Sequence, residues 1–252
     1  APFFDFFLIG EGEELFRELI ACVHRNRHLP RAALLLALAT EVRGVYVPSL
    51  VAVEYEAPDG AIRSITPVRD GLAFPVEKRL VSDMDGHVAA SPILSPESVF
   101  ANSYLVEVMR GCSHRCRFCL ASYSMLPARG ASLEAIIEKI ELGLKHTDKI
   151  GLLGALIADH PQFPELCEYL AGKENAQISF GAVRVDSLTP QICRTLAERG
   201  GRSITVAIES GSPYLRRRIN KNLRQETIFQ AMETVAASGL KAVKFYGMVG
   251  LP

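Results

Sequence analysis

From residue 104 onward, short apolar runs alternate with amphipathic stretches, and this predicts an α/β fold: a partial barrel of parallel strands preceded by a small α/β segment. Three observations carry that expectation. The alternation repeats in units of ~20–35 residues, the spacing of parallel strands joined by helical crossovers. The region holds five strand-like and four helix-like segments, too few for a closed eight-fold barrel of ~200 residues or more. Ahead of it, residues 1–99 change character, with one helical pattern, two extended segments and a Pro-, Gly- and Ser-rich stretch at 69–99.

Each element has a local reason. Phe3–Ile9 is a short apolar run that reads as a buried strand. Gly10-Glu11-Gly12-Glu13-Glu14 follows it, and a helix is expected from about Glu13 to Arg25, with Leu15, Leu19, Ile20 and Val23 on one face and acids in the first turn. Val45–Tyr55 and Ala61–Val68 read as extended, joined by the turn Pro58-Asp59-Gly60. Residues 69–99 read as a linker wrapping the next domain, so the domains are expected at 1–99 and 100–252. In the second domain, strands are expected at Tyr104–Met109, Lys149–Ala155, Gln177–Val185, Ser203–Ile208 and Lys241–Val249. Helices are expected at Ser132–His146, Pro164–Leu170, Thr189–Arg199 and Arg224–Ser238; Gly200-Gly201 and Gly239 end the last two. Both ends of the chain lie on strands, which reads as a core with the edges of neighbouring domains attached.

Composition excludes several classes. An apolar share of 48% and a charged share of 22% are ordinary for a globular chain. The longest strongly apolar run, Ala32 to Ala39, falls well short of the ~20 residues that span a bilayer, and no signal-peptide pattern opens the chain, so a cytoplasmic protein without a membrane partner is expected. Zero net charge argues against bulk electrostatic binding of nucleic acid. Residues 1–100 carry 14 acidic and 9 basic side chains, and residues 101–252 carry 14 and 19, so the second part would suit an anionic ligand. The basic run Arg216-Arg217-Arg218, with Lys221 and Arg224, reads as a solvated helix start; phosphate or RNA contact is the minority reading.

The chemistry centres on Cys112, Cys116 and Cys119, three thiols within eight residues directly after the first strand of the second domain. In barrel-type folds the loops at that end build the active site. A closed zinc site needs four ligands, usually from two Cys-x-x-Cys pairs, and here there is one cluster. Cys22, Cys167 and Cys193 fall on expected helices and read as buried apolar residues. Three thiolates on a [4Fe–4S] cluster leave one iron free of protein ligands, an open place for a substrate or cofactor.

The segment Arg110-Gly111-Cys112-Ser113-His114-Arg115-Cys116-Arg117-Phe118-Cys119 resembles the cluster loop of the radical S-adenosylmethionine (SAM) superfamily, down to the aromatic residue before the last cysteine. The resemblance covers residues ~100–252 and implies a (β/α)6 partial barrel. It also implies a [4Fe–4S] cluster on Cys112, Cys116 and Cys119, with Phe118 near cluster and SAM, reductive cleavage of SAM to a 5′-deoxyadenosyl radical, and an electron donor such as flavodoxin or ferredoxin. By the same resemblance Gly154 and Ala155 would hold the SAM amino group through backbone, although Leu156 stands where an acid is common. Arg184 would hold the SAM carboxylate, with an ion pair to Asp186 as its competing role. Glu209 and Ser210 would contact the ribose or methionyl part, and Val249, in Gly247–Pro252, would pass the adenine. Asp159-His160 reads as a loop and cap, or as a substrate-facing pair.

Phe3–Glu14 resembles the end of the cobalamin-binding domain that precedes many such cores, so cobalamin is expected in a longer parent protein. Asp85-Gly86-His87 resembles a cobalamin motif only loosely and reads as a turn. Methyl transfer, ring rearrangement and methylthiolation are the reactions left open. The competing class is an iron–sulfur or electron-transfer protein that does not cleave SAM.

Overall fold

The computed structural model describes residues 3–251; Pro252 of the expected adenine segment lies outside them. The chain forms two compact units, Ala1–Asp83 and Met84–Pro252. Residues 84–99, placed with the first segment by the sequence reading, belong to the second unit.

In the first unit, β1 (Phe7–Leu8) pairs antiparallel with β2 (Val45–Tyr46), and between them lie α1 (Gly12–Asn26) and α2 (Arg31–Glu41). Leu15, Leu19 and Cys22 of α1 pack with Leu38 of α2 in a core that Val42, Val45 and Val47 complete. The run Ala32–Ala39 is most of α2; its Ala and Leu residues favour a helix but give no periodicity to read. The extended segment expected over Val45–Tyr55 is broken by a 3-10 turn at Pro48–Leu50, where proline presets the backbone, before β3 (Val51–Tyr55) pairs antiparallel with β4 (Ile62–Pro67). Arg79 ties residues 69–83 to this unit. Its backbone N–H donates to Ile9 O at 2.9 Å, and its guanidinium clasps both carboxylate oxygens of Glu18 at 2.7 Å.

The second unit carries β5 (Tyr104–Arg110), α3 (Ala121–Ser124), β6 (Arg129–Gly130), α4 (Leu133–Leu144), β7 (Lys149–Gly154), α5 (Phe163–Ala171), β8 (Gln177–Phe180), β9 (Val183–Arg184), α6 (Pro190–Glu198), β10 (Ser203–Glu209), α7 (Pro213–Arg218), α8 (Gln225–Ala236) and β11 (Ala242–Gly247). The expected alternation holds, and β5, β7 and β8 run parallel, as do β9, β10 and β11. One difference matters. The strand expected over Gln177–Val185 breaks after Phe180, so the wall is two hydrogen-bonded sheets, β6-β5-β7-β8 and β9-β10-β11, and no closed barrel forms among the described residues. Alternate residues of each strand face the helices: Val106, Val108, Ile150 and Leu152 pack with Ile136, Ile140, Leu166 and Leu170, while Ile204 and Val206 pack with Leu196, Ile228 and Val235. Cys167 and Cys193 are wholly buried in these two cores, and burial pushes the Cys167 thiol up to about 12. Asp85–His87 is a 3-10 turn, and Asp85 accepts from the Ser132 N–H at 2.6 Å. No helix among the described residues is long and apolar enough to cross a membrane.

Candidate iron–sulfur and cofactor site

The three cysteines follow β5, whose last residue, Arg110, lies at the mouth of the parallel wall. Two left-handed residues shape the loop. Gly111 has φ +77°, and a Cβ there would drive into the Met125 and Pro127 carbonyls, so glycine is required. Arg115 has φ +51°, and Asn220 holds that turn with its Nδ2 donating to Arg115 O at 2.9 Å and His114 O at 3.2 Å. The Arg117 N–H donates to Ile219 O at 2.9 Å, fastening the loop to the end of α7. Cys112 and Cys116 are buried and Cys119 is half-buried. Cys112 packs with Met109 and Leu156, so the residue standing where an acid was expected is an apolar wall for this thiol.

Two buried cations stand over Cys116. Arg184 Nη1 lies 3.9 Å from its Sγ. Lys221 Nζ lies 5.9 Å from the centre of the Phe118 ring, within cation–π range. Burial pushes the Cys116 thiol up, and the charges of Lys221 and Arg184 oppose that rise. Each cation is paired on its other side. Arg184 Nε and Nη2 donate to the two Asp186 oxygens at 2.9 and 2.8 Å, and Nη2 also reaches Lys221 O at 3.3 Å. Burial disfavours both members of that pair, but mutual contact prevails, raising the Arg184 pKa and lowering that of Asp186. Lys221 Nζ donates to Glu209 Oε1 at 3.1 Å with both side chains nearly inaccessible.

The expected residues are brought together unevenly. Cys116, Phe118, Arg184 and Glu209 converge, with Lys221 linking them. Glu209 is strained at φ +64°, where β10 and β11 slip register, and its carbonyl accepts from the Met248 N–H at 2.8 Å. Ser210 is engaged locally: Oγ accepts from the Ser212 N–H, and its carbonyl accepts from Arg216. Ser212, not Glu209 or Ser210, caps α7. Gly154 ends β7 beside Met109, and a Cβ there would crowd Ile157 and the Met109 carbonyl; Ala155 is in the exposed turn beyond it. Val249 is 99% exposed and is not brought against these residues. Asp159 and His160 part ways. Asp159 meets His114 Nε2 at 3.2 Å and Ser187 Oγ at 2.7 Å, whereas His160 is buried, with Nε2 2.7 Å from Ala131 O and Nδ1 accepting from the Gln162 N–H.

The basic run is corrected by the structure. Arg217 and Arg218 are exposed, but Arg216 is wholly buried and Lys221 nearly so. Arg216 spans a loop, donating from Nε to Leu223 O at 2.9 Å, from Nη1 to Ser210 O at 2.8 Å and from Nη2 to Gln225 Oε1 at 3.0 Å. It thus shapes the turn that places Ser210 and Lys221. Arg216→Met leaves the buried Leu223 carbonyl and the half-buried Ser210 and Gln225 oxygens without this donor, and is expected to cost roughly 3 kcal/mol, read as a lower urea midpoint at unchanged slope. Lys221, Asn220 and Arg216 are the site residues that sequence reasoning missed.

The donor set suits an iron–sulfur cluster: three thiols on one loop, with cations to offset thiolate charge. Among the described residues no three His, Cys, Asp or Glu side chains close on a point as a single-ion site would. Each thiolate of a cubane binds a different iron, so the ligands of one cluster stand further apart than those of one ion.

Comparison with known proteins agrees. Residues 106–252 match the family described as the radical SAM superfamily, and residues 1–48 match that described as radical SAM proteins, N-terminal. An uncharacterized protein of Methanocaldococcus jannaschii is 30% identical over 256 residues, covering all of this chain and 49% of the relative. An uncharacterized methyltransferase of Pyrococcus horikoshii is 25% identical over 258 residues, covering all of this chain and 50% of the relative. The chain thus spans about half the length of the curated relatives it matches. Among solved structures, the cobalamin-dependent SAM radical enzyme OxsB, with aqua-cobalamin and SAM bound, aligns at a TM-score of 0.59 and 19% identity over 95% of this chain and 33% of that one, a likeness of fold. With a family match across most of the second unit and the thiol loop at the mouth of its parallel wall, the chain belongs to the radical SAM superfamily.

Proposed function

We propose that this chain is the catalytic core of a radical SAM enzyme, with Cys112, Cys116 and Cys119 as the three protein ligands of a [4Fe–4S] cluster. The observation that carries this reading is the thiol loop at the end of β5, with buried Arg184 Nη1 3.9 Å from Cys116 Sγ and the charge of buried Lys221 acting on the same thiol. When bound, such a cluster supplies one-electron reductive cleavage of SAM to methionine and a 5′-deoxyadenosyl radical. The chain's own residues bind and orient. Arg184 keeps Nη1 on the Cys116 side while Asp186 occupies its other edge, so Nη1 is the donor for a SAM carboxylate. Glu209, held by Lys221, and Ser210 face the ribose or methionyl part. Gly154 and Ala155 offer backbone to the amino group, Phe118 shields the cluster edge, and Val249, which stands apart from these residues, is assigned to the adenine of the bound cofactor. Leu156 and Met109 keep water from Cys112.

Enzymes of this family need a reductant and a substrate; a flavodoxin or ferredoxin suits the first role. By likeness to OxsB we assign cobalamin, and by likeness to the P. horikoshii methyltransferase a methyl-transfer type of reaction, to the whole protein, and no residue described here to cobalamin.

Anaerobic reconstitution with iron and sulfide tests this. The expected product has broad visible absorption, becomes paramagnetic on reduction with dithionite, and then releases 5′-deoxyadenosine from SAM. A colourless zinc-loaded protein would refute the cluster. A reducible cluster that leaves SAM intact would place the protein with electron carriers instead.

A further inference from the structure

At the end of the wall opposite the cysteines, the parallel sheet is unzipped. β9 holds β10 only through Val183↔Val206 and Ala207↔Arg184, and β8 pairs with β7 alone. Between β8 and the first residues of β10, Ser203–Thr205, no ladder forms. The gap is a cleft of about 280 Å³ whose lining includes Lys149, Ser179, Arg199, Arg202, Ser203 and Thr205. Three cations line it and no carboxylate does. None of the three forms an ion pair among the described residues. Arg199 Nη1 donates to Lys173 O at 2.9 Å, but its Nε is buried without any partner.

Two of these features are costly unless something fills the cleft. A buried donor without an acceptor loses its water at a cost of about 1–3 kcal/mol. Strand edges left open inside a fold carry N–H and C=O groups that need partners; on the β8 edge the Ile178 N–H finds one in Arg199 O at 2.9 Å, and no ladder continues it to β10. Three like charges around one opening repel, and an anion relieves that repulsion. A guanidinium offers two parallel N–H donors, which match the oxygens of a phosphate or carboxylate. The Ser203 and Thr205 hydroxyls add neutral donors. The volume suits a single oxyanion-bearing headgroup or a small organic acid, just below the ~300 Å³ where typical ligand pockets begin.

We propose that this cleft is a binding site for the oxyanion group, phosphate or carboxylate, of a small molecule, with Arg199 and Arg202 as its principal contacts. The site is separate from the thiol loop. β10 runs seven residues from Ser203 at the cleft to Glu209 beside Lys221, six steps or about 20 Å at the usual rise of a strand. It does not depend on the cluster.

The test is calorimetry on the reconstituted full-length protein, titrated with inorganic phosphate and, separately, with malonate, against chloride at matched ionic strength. Saturable binding of either anion is expected, and the anion that binds names the class. Arg199→Gln and Arg202→Gln are each expected to weaken it at least tenfold, while iron content and 5′-deoxyadenosine release stay at wild-type level. Arg202 is exposed, so its variant keeps the test valid if Arg199→Gln fails to fold. Neither anion binding better than chloride, or Arg202→Gln binding as the wild type does, would overturn the proposal. Loss of cluster chemistry in the wild type with anion binding intact would count against the proposed function alone.

Discussion

Alanine at Cys112, Cys116 or Cys119 is expected to reduce bound iron from about four atoms per chain to near zero and to abolish 5′-deoxyadenosine release. A cubane on three thiolates already has one iron without a protein ligand, and removing a second anchor leaves two corners exposed to solvent and chelators. The effect is sharpest at Cys116, which is buried beneath Arg184 and Lys221: without its thiolate, two cations face an apolar side chain. The controls are Cys167→Ala and Cys193→Ala. Both thiols are wholly buried in apolar cores, so these variants should keep full iron and lose only modest stability. Iron and sulfide assays on all five variants, with visible spectra, check the prediction. Retention of a full cluster after Cys116→Ala would remove this thiol from the ligand set.

Lys221→Met is expected to be the most destabilising change outside the thiol loop. Its ammonium and the Glu209 carboxylate sit 3.1 Å apart with 6% and 8% of their side chains accessible, which leaves almost no solvent screening. Breaking one side of such a pair strands a buried charge and costs about 3–5 kcal/mol. Replacing both partners removes the stranded charge, so Lys221→Met combined with Glu209→Gln should recover much of that loss. On the SAM-binding role proposed for Glu209, the double variant should nonetheless bind SAM poorly, because that carboxylate is gone. Urea unfolding of the two single variants and the double, alongside equilibrium SAM binding, separates the structural cost from the binding one. Purely additive stability losses would show that the two charges do not act as a pair.

Much of the second unit was legible because its elements announce themselves locally. Ser132 accepts from the Ala135 N–H and Thr189 from the Ile192 N–H, so side-chain caps mark the starts of α4 and α6. Buried and half-buried residues alternate along the first five residues of β5 and of β10. The thiol loop was legible because spacing, aromatic neighbour and place after a strand all lie in one stretch of ten residues. What was illegible depends on distant chain. Arg216, Arg217 and Arg218 look alike in sequence, yet consecutive residues on a helix point about 100° apart, so only one of them turns inward. Which one is decided by where the Ser210, Leu223 and Gln225 oxygens lie. Lys221 carried no motif; its role comes from the carboxylate twelve residues earlier that bends back to meet it.

The sequence by itself determined the α/β class, the parallel alternation and the three clustered thiols, because helix periodicity, capping and motif spacing are short-range properties written into neighbouring residues. Only the tertiary structure decided that Arg184 turns to Cys116, that Lys221 and Glu209 form a buried pair, and that the wall opens between β8 and β10. Each of these is set by the balance of desolvation, charge pairing and strand register among segments far apart in the chain, and no local pattern encodes that balance.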